Sequence, residues 1–130
     1  MNPDNEISEF ARYRLKKSDE MLTAAEVLYN ANLWNSVINR LYYACFYAAS
    51  AALLYKGIGA KSHTGVLGMI AEHFVKAKEI SIEDFHVYSK LMNWRTKGDY
   101  GDLFDFSKDD VDMVFEPAKH FVDTIKNFTR

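Results

Sequence analysis

The sequence predicts an all-α fold, an up-and-down bundle of four to five helices in which the second helix is central. Three observations favour this fold. Apolar side chains recur near the 3.6-residue helical period in five segments. Only two prolines and six glycines interrupt the 130 residues. In addition, residues 41–55, between Arg40 and Lys56, are all uncharged. That segment presents apolar groups at nearly every helical angle, as does a helix that others cover on several sides.

The first two helices should form a hairpin, because short loops favour antiparallel neighbours. The second is expected over about 33–56 and should end before Gly57, since glycine readily adopts the left-handed conformation that terminates helices. The first is expected over about 5–30, with an apolar stripe made by Ile7, Phe10, Ala11, Leu15, Leu22, Ala25 and Tyr29.

Three further helices are expected. Ser62 is a candidate N-cap for the third, which should end near Lys78. The fourth should close at Gly98 and Gly101. Pro117 should kink the fifth, or divide it into two, because an interior proline removes a backbone hydrogen bond. The third has its apolar positions at Val66, Ile70, Phe74 and Ala77, and the last two begin with the capping pairs Ser81–Asp84 and Ser107–Asp110.

Composition limits the classes of protein to consider. A length of 130 residues suits one helical domain spanning 1–130, and a net charge of −2 argues against binding nucleic acid through a wholly basic surface. The uncharged segment is shorter than the roughly 20 residues that cross a membrane. The first ten residues lack the basic and apolar regions of a secretory signal. We therefore expect a cytoplasmic protein with no membrane partner, in which the lone Cys45 packs as a small hydrophobe.

Common catalytic and metal-binding patterns are missing from the sequence. It contains no GxxxxGK[ST] phosphate loop, no HExxH pair and no CxxC pair. Its four histidines lie on different predicted helices or at helix ends, and none has cysteines at zinc spacing. The acidic stretch between Asp99 and Glu116 could hold a divalent cation, but an acidic helix start is also explained by the helix dipole. We expect neither a metal nor another cofactor.

Two arginines next to apolar helix faces are candidate phosphate ligands. Helical spacing puts Arg95 in line with Met92 and Asp99, so its guanidinium extends from an apolar stripe. It could pair with a carboxylate and fix the end of the bundle, or it could clamp a phosphate. Arg40 presents the same choice. The aromatic residues between 42 and 47 could stack on bases or form the core.

Four segments together resemble the stand-alone prokaryotic branch of the HEPN domain family. They are RLYYACFYAA at 40–49, GIGAKSHTGV at 57–66, WRTKGDYGD at 94–102 and AKHFVDTI at 118–125. The resemblance implies a bundle of four or five helices that commonly forms a homodimer. It also implies a minimal nucleotidyltransferase partner in a module similar to a toxin–antitoxin pair.

Nucleolytic members of that family use an R-x4-6-H motif as a metal-independent ribonuclease site across the dimer. Arginine stabilises charge on the scissile phosphate, and histidine exchanges protons near neutral pH. Here Arg95 matches the arginine, whereas Tyr100 stands in the place of the histidine, and no histidine occurs from 96 to 102. His63, beside Lys61 in the KSH segment, is the other matching position. The resemblance thus implies phosphate-binding candidates at Arg40, Lys61, His63, Arg95, Asp99 and Tyr100, with Arg95 and His63 as catalytic candidates.

Three functions remain open at this point. The leading hypothesis is a module that binds a nucleotide, an RNA phosphate or a nucleotidyltransferase partner in a two-component system. The second is a ribonuclease toxin with a rearranged site, in which His63 transfers protons and Arg95 supplies the positive charge. The third is a purely structural helical adaptor.

Overall fold

The computed structural model describes the backbone of residues 3–100 and 104–129, and the side chains of residues 9–97 and 104–129. Helices make up nearly all of these ranges, and the described part of the chain contains no β-strand. The all-α prediction is therefore confirmed. In chain order the helices are α1 (Pro3–Asn30), α2 (Trp34–Tyr55), α3 (His63–Ile70), a π-helical segment (Ala71–Val75), α4 (Ile82–Tyr100) and α5 (Lys108–Phe128).

Helix α2 is the centre of the bundle, as predicted. It contacts α1, α3, α4 and α5. Small side chains allow this close approach, since Ala44, Ala48 and Ala52 are fully buried. The side chain of Ser18 on α1 is also fully buried, and its hydroxyl donates a hydrogen bond to the Ala44 carbonyl at 2.7 Å.

Helix α2 is also long and apolar enough, by length and composition, to cross a membrane. In this structure 67% of its most apolar 18-residue stretch is buried inside the protein. The thiol of Cys45 is part of this buried surface, and burial raises its pKa well above the ordinary value for cysteine. The helix thus has the contacts of a core helix, and Cys45 has those of a small core residue.

Contacts between helix ends establish the up-and-down arrangement. The Tyr29 hydroxyl near the end of α1 donates to Asp112 at the start of α5, at 2.6 Å. Lys126, near the end of α5, donates to Asp19 in the middle of α1 at 3.1 Å. These two helices are therefore antiparallel. Helix α4 is also antiparallel to α5, because its earlier residue Tyr88 packs on Phe121, whereas its later residue Trp94 packs on Phe106.

Most predicted helix ends agree with the structure. Gly57 has a φ of 71°, the left-handed conformation expected after α2. The Ser62 and Ser81 hydroxyls accept from the backbone N–H groups of Gly65 and Asp84, and Ser107 forms a reciprocal capping box with Asp110. Helix α4 continues through Gly98 to Tyr100, so the prediction that it closes at Gly98 was wrong, and Gly101 lies outside the described residues. Helix α5 passes Pro117 as one helix and is not divided.

The third helix differs from its prediction. Its α-helical part ends at Ile70, and a π-helical turn follows in which Lys76 N–H bonds to the Ala71 carbonyl. A wider turn shifts the phase of the helix face. Consequently Phe74 is buried and Ala77 is exposed, although the 3.6-residue period placed both in one stripe. In α1 the predicted apolar stripe also contained an error, because 62% of Phe10 is exposed.

Candidate functional site

Three helices bring an arginine, a histidine and a set of aromatic rings together. Tyr42, Tyr43 and Phe46 project from adjacent positions of α2. Arg95 reaches them from the end of α4, and His63 from the first residue of α3. We call these five residues the Arg95 cluster. Tyr42 is fully buried, and the other four are partly exposed, so the cluster opens to the surface.

The guanidinium of Arg95 lies over the two tyrosines. Its Cζ is 4.9 Å from the ring centroid of Tyr42 and 5.7 Å from that of Tyr43. Its Nη1 donates a hydrogen bond of 3.4 Å to the Tyr43 hydroxyl. A cation near an aromatic face is attracted by the quadrupole of the ring. The rings therefore hold the planar, permanently charged group of Arg95 at the surface of the bundle.

The imidazole of His63 contacts the same tyrosines. Its Nδ1 is 2.5 Å from the Tyr42 hydroxyl, and either atom can be the donor, depending on the tautomer. Its ring stacks on that of Phe46 at 4.3 Å, with 10° between the planes. Burial, and after it the charge of Arg95, lower the pKa of His63 below its ordinary value of 6.5. The imidazole is therefore mainly neutral at neutral pH, so that it can accept a proton.

Tyr42 connects the site to the core. Burial raises the pKa of Tyr42 to about 12, although the charge of Arg95 opposes this rise. Its ring stacks on Tyr88, which is also fully buried and whose hydroxyl has no hydrogen-bond partner among the described residues. Both tyrosines thus keep their protons, and Tyr42 acts as a neutral hydrogen-bonding group between core and site.

The acidic residues at the start of α5 have structural contacts. Asp110 is part of the N-terminal capping box, and Asp112 bonds to Lys108 at 2.8 Å and to Tyr29. Within the described ranges, no group of three or more histidine, cysteine or acidic side chains is placed to hold a metal ion. Asp110 therefore has the contacts of a helix cap, near the positive end of the helix dipole, and Asp112 those of a partner for Lys108 and Tyr29.

Comparison with known proteins assigns the family, since the family model for the HEPN domain matches residues 11–128. The chain belongs to the HEPN domain family. Its relatives include "Putative toxin MJ0142" of Methanocaldococcus jannaschii, 32% identical over 88% of this chain and 78% of the relative. A "UPF0332 protein" of Thermotoga maritima is 34% identical over 94% of this chain and 92% of its own length. "Putative toxin MJ0605" of M. jannaschii is 32% identical over 95% and 91%.

The structure of this HEPN protein brings some of the sequence-predicted site residues together and separates others. Arg95 and His63 both contact Tyr42. Arg40 is exposed and donates to its neighbour Asn39 at 3.0 Å. Lys61 lines a surface pocket beside the Arg95 cluster. The side chains of Asp99 and Tyr100 lie outside the described residues.

Sequence reasoning underestimated two features of the HEPN chain. It treated Tyr42 and Tyr43 as either base-stacking or core residues, whereas Tyr42 is buried and also bonds to His63. It did not consider Arg14, which lines the pocket of Lys61. A signal for Arg14 was present, because helical spacing places it between the buried positions Ala11 and Ser18.

Proposed function

We propose that this HEPN protein is the toxin-like component of a two-component module, and that the Arg95 cluster binds a phosphate of single-stranded RNA or of a nucleotide. The observation that carries this proposal is the position of the Arg95 guanidinium, seated over Tyr42 and Tyr43 beside His63. Planar guanidinium groups suit phosphate oxygens, and aromatic faces suit unpaired bases. Two of the relatives are named as toxins, which supports the same class of protein.

The test is equilibrium binding of a fluorescently labelled, single-stranded RNA decamer. Arg95→Ala should weaken binding about ten-fold or more, since a charge-assisted hydrogen bond is worth about 1.5–3 kcal/mol. Lys97→Ala is the matched control, because Lys97 is an exposed cation on the same helix. It should change affinity by less than about three-fold, as exposed charges contribute little. Equal effects of the two substitutions would contradict the proposal.

RNA cleavage is a second candidate function, and the state of His63 favours it. A mainly neutral imidazole next to a fixed guanidinium combines a proton acceptor with a group that stabilises negative charge. Cleavage that persists in EDTA and disappears in both Arg95→Ala and His63→Ala would support a ribonuclease with a rearranged site. If the protein binds the RNA and leaves it uncleaved, the ribonuclease function is wrong and only the binding function stands.

Two assembly features belong to the same proposal. Phe10 and Tyr13, near the start of α1, are 62% and 58% exposed and offer an apolar surface to a second copy of the chain. We therefore expect a homodimer, and the family resemblance adds a minimal nucleotidyltransferase as partner. Light scattering of the protein alone measures the homodimer, and light scattering of its mixture with the product of the adjacent gene measures the complex with that partner. A monomer at all concentrations would contradict the dimer and also the alternative of a structural adaptor, which needs the same surface.

A further inference from the structure

A second surface pocket lies beside the Arg95 cluster. Helices α1, α2 and α3 and the loop before α3 enclose a volume of about 260 Å³. Its lining is mostly apolar, with Phe46, Leu53 and Val66 among its residues. Its cationic lining residues are Arg14 from α1 and Lys61 from the loop. The pocket thus combines an apolar surface with two positive charges.

The two cations are available for an anionic ligand. Within the described part of the chain, neither Arg14 nor Lys61 forms an ion pair or a side-chain hydrogen bond, and no carboxylate lines the pocket. Some lysines of the bundle have acidic partners instead: Lys17 with Glu20, Lys56 with Glu79, Lys108 with Asp112 and Lys126 with Asp19. Two like charges without a nearby counter-charge attract an anion.

One aromatic ring joins the pocket to the Arg95 cluster. The ring of Phe46 lines the pocket and also stacks on His63 at 4.3 Å. Lys61 is two residues before His63 in the chain. A ligand that extends from Arg95 past His63 therefore meets the rim of the pocket next.

We propose that this pocket holds a second nucleotide of the RNA strand, with its phosphate on Arg14 and Lys61 and its base over the apolar lining. This inference rests on the proposed function, because the strand must also place a phosphate at Arg95. The pocket volume of about 260 Å³ lies just below the range of ligand pockets, roughly 300–1,000 Å³, so the pocket is too small for more than one nucleotide of the strand. Charge complementarity selects the anion, and aromatic or apolar surface under a base is a general feature of single-strand sites.

The experiment compares two double variants with equal changes in charge. Arg14→Ala with Lys61→Ala removes the pocket cations, and Arg12→Ala with Lys16→Ala removes two exposed cations of α1 that do not line it. Binding of the labelled RNA decamer is measured over a range of salt concentrations. The pocket variant should bind about ten-fold more weakly. Its salt slope should fall by about 0.7, since the two cations share one phosphate and each phosphate contact on a single strand contributes about 0.7.

The control variant and Arg95→Ala distinguish the two proposals. If the pocket variant behaves like the control variant while Arg95→Ala loses binding, the second subsite is wrong and the proposed function stands. If the pocket variant loses binding and Arg95→Ala does not, the pocket binds RNA and the Arg95 site is wrong. If the wild type does not bind the decamer, both proposals fail. Circular dichroism and thermal melting of each variant verify that it is folded.

Discussion

The Tyr42 hydroxyl lies 2.5 Å from Nδ1 of His63 and connects the core of the bundle to its surface site. Tyr42 is fully buried between helices, whereas His63 is the first residue of α3 and partly exposed. The hydrogen bond therefore fixes the imidazole relative to Arg95, which packs over the same tyrosine ring. The protonation state of His63 and the stability of the fold are consequently linked.

Removal of the Tyr42 hydroxyl should destabilise the protein. Tyr42→Phe keeps the ring and loses the bond to His63, and a hydrogen bond of this kind contributes about 1 kcal/mol to the free energy of unfolding. Urea denaturation measures the change. Tyr55→Phe is the control, because 49% of Tyr55 is exposed and its hydroxyl makes no hydrogen bond in the described part of the chain. An equal effect at both positions would show that the Tyr42–His63 bond adds nothing.

The stability contributed by His63 should fall in mildly acidic solution. Its pKa is lowered in the folded protein, so the unfolded chain binds a proton more readily. The contribution is therefore present above the unfolded pKa of about 6.5 and is lost as the pH falls through the lower folded value. His63→Phe removes this titration. The unfolding free energy of the wild type, minus that of the variant, should therefore decrease from pH 7.5 to pH 5. A constant value would disagree with the lowered pKa.

The buried hydroxyl of Ser18 should be important for pairing α1 with α2. Ser18→Ala loses the bond to the Ala44 carbonyl and should lower the free energy of unfolding by about 1 kcal/mol. This loss is expected although alanine is the better helix former. Thr23→Ala, at an exposed position of the same helix, should be neutral or slightly stabilising. Thermal or urea denaturation measures both changes. If Thr23→Ala lowers the stability more than Ser18→Ala does, the assigned contact is wrong.

The capping box at Ser107 should stabilise the last helix. Ser107→Ala removes the oxygen that accepts from Asp110 N–H, and loss of such a cap typically costs about 1 kcal/mol. Ser107→Asp supplies another side-chain acceptor and should recover most of the stability. Chemical denaturation of both variants checks this, and a failure of aspartate to restore stability would mean that Ser107 acts by other contacts.

Local sequence signals predicted the helices because they depend on neighbours in the chain. The caps at Ser62 and Ser107 and the left-handed Gly57 are decided within a few residues of each helix end. The π-helical turn at Ala71–Val75 could not be predicted in this way. This turn places Phe74 in the core, so its position depends on tertiary packing. The helical period alone extended the predicted apolar stripe to Ala77, which is exposed.

The site was predictable in its residues and not in its contacts. Motif resemblance selected Arg95 and His63, which are 32 residues apart in the chain. Their common contact with Tyr42 depends on how α2, α3 and α4 pack, which side-chain patterns do not specify. Arg14 was missed because a cation on a helix normally faces solvent, and only its position between Ala11 and Ser18 sets it apart.

A double-mutant cycle on RNA binding tests the central claim most directly, which is that Arg95 and His63 act on one phosphate. The affinity of the RNA decamer is measured for wild type, Arg95→Ala, His63→Ala and the double variant at neutral pH. Groups that share a ligand atom or a network are coupled by about 0.5–3 kcal/mol. We expect a coupling of about 1 kcal/mol, with the double variant binding little worse than Arg95→Ala. Strictly additive losses, or unchanged affinity in Arg95→Ala, would contradict a shared phosphate site.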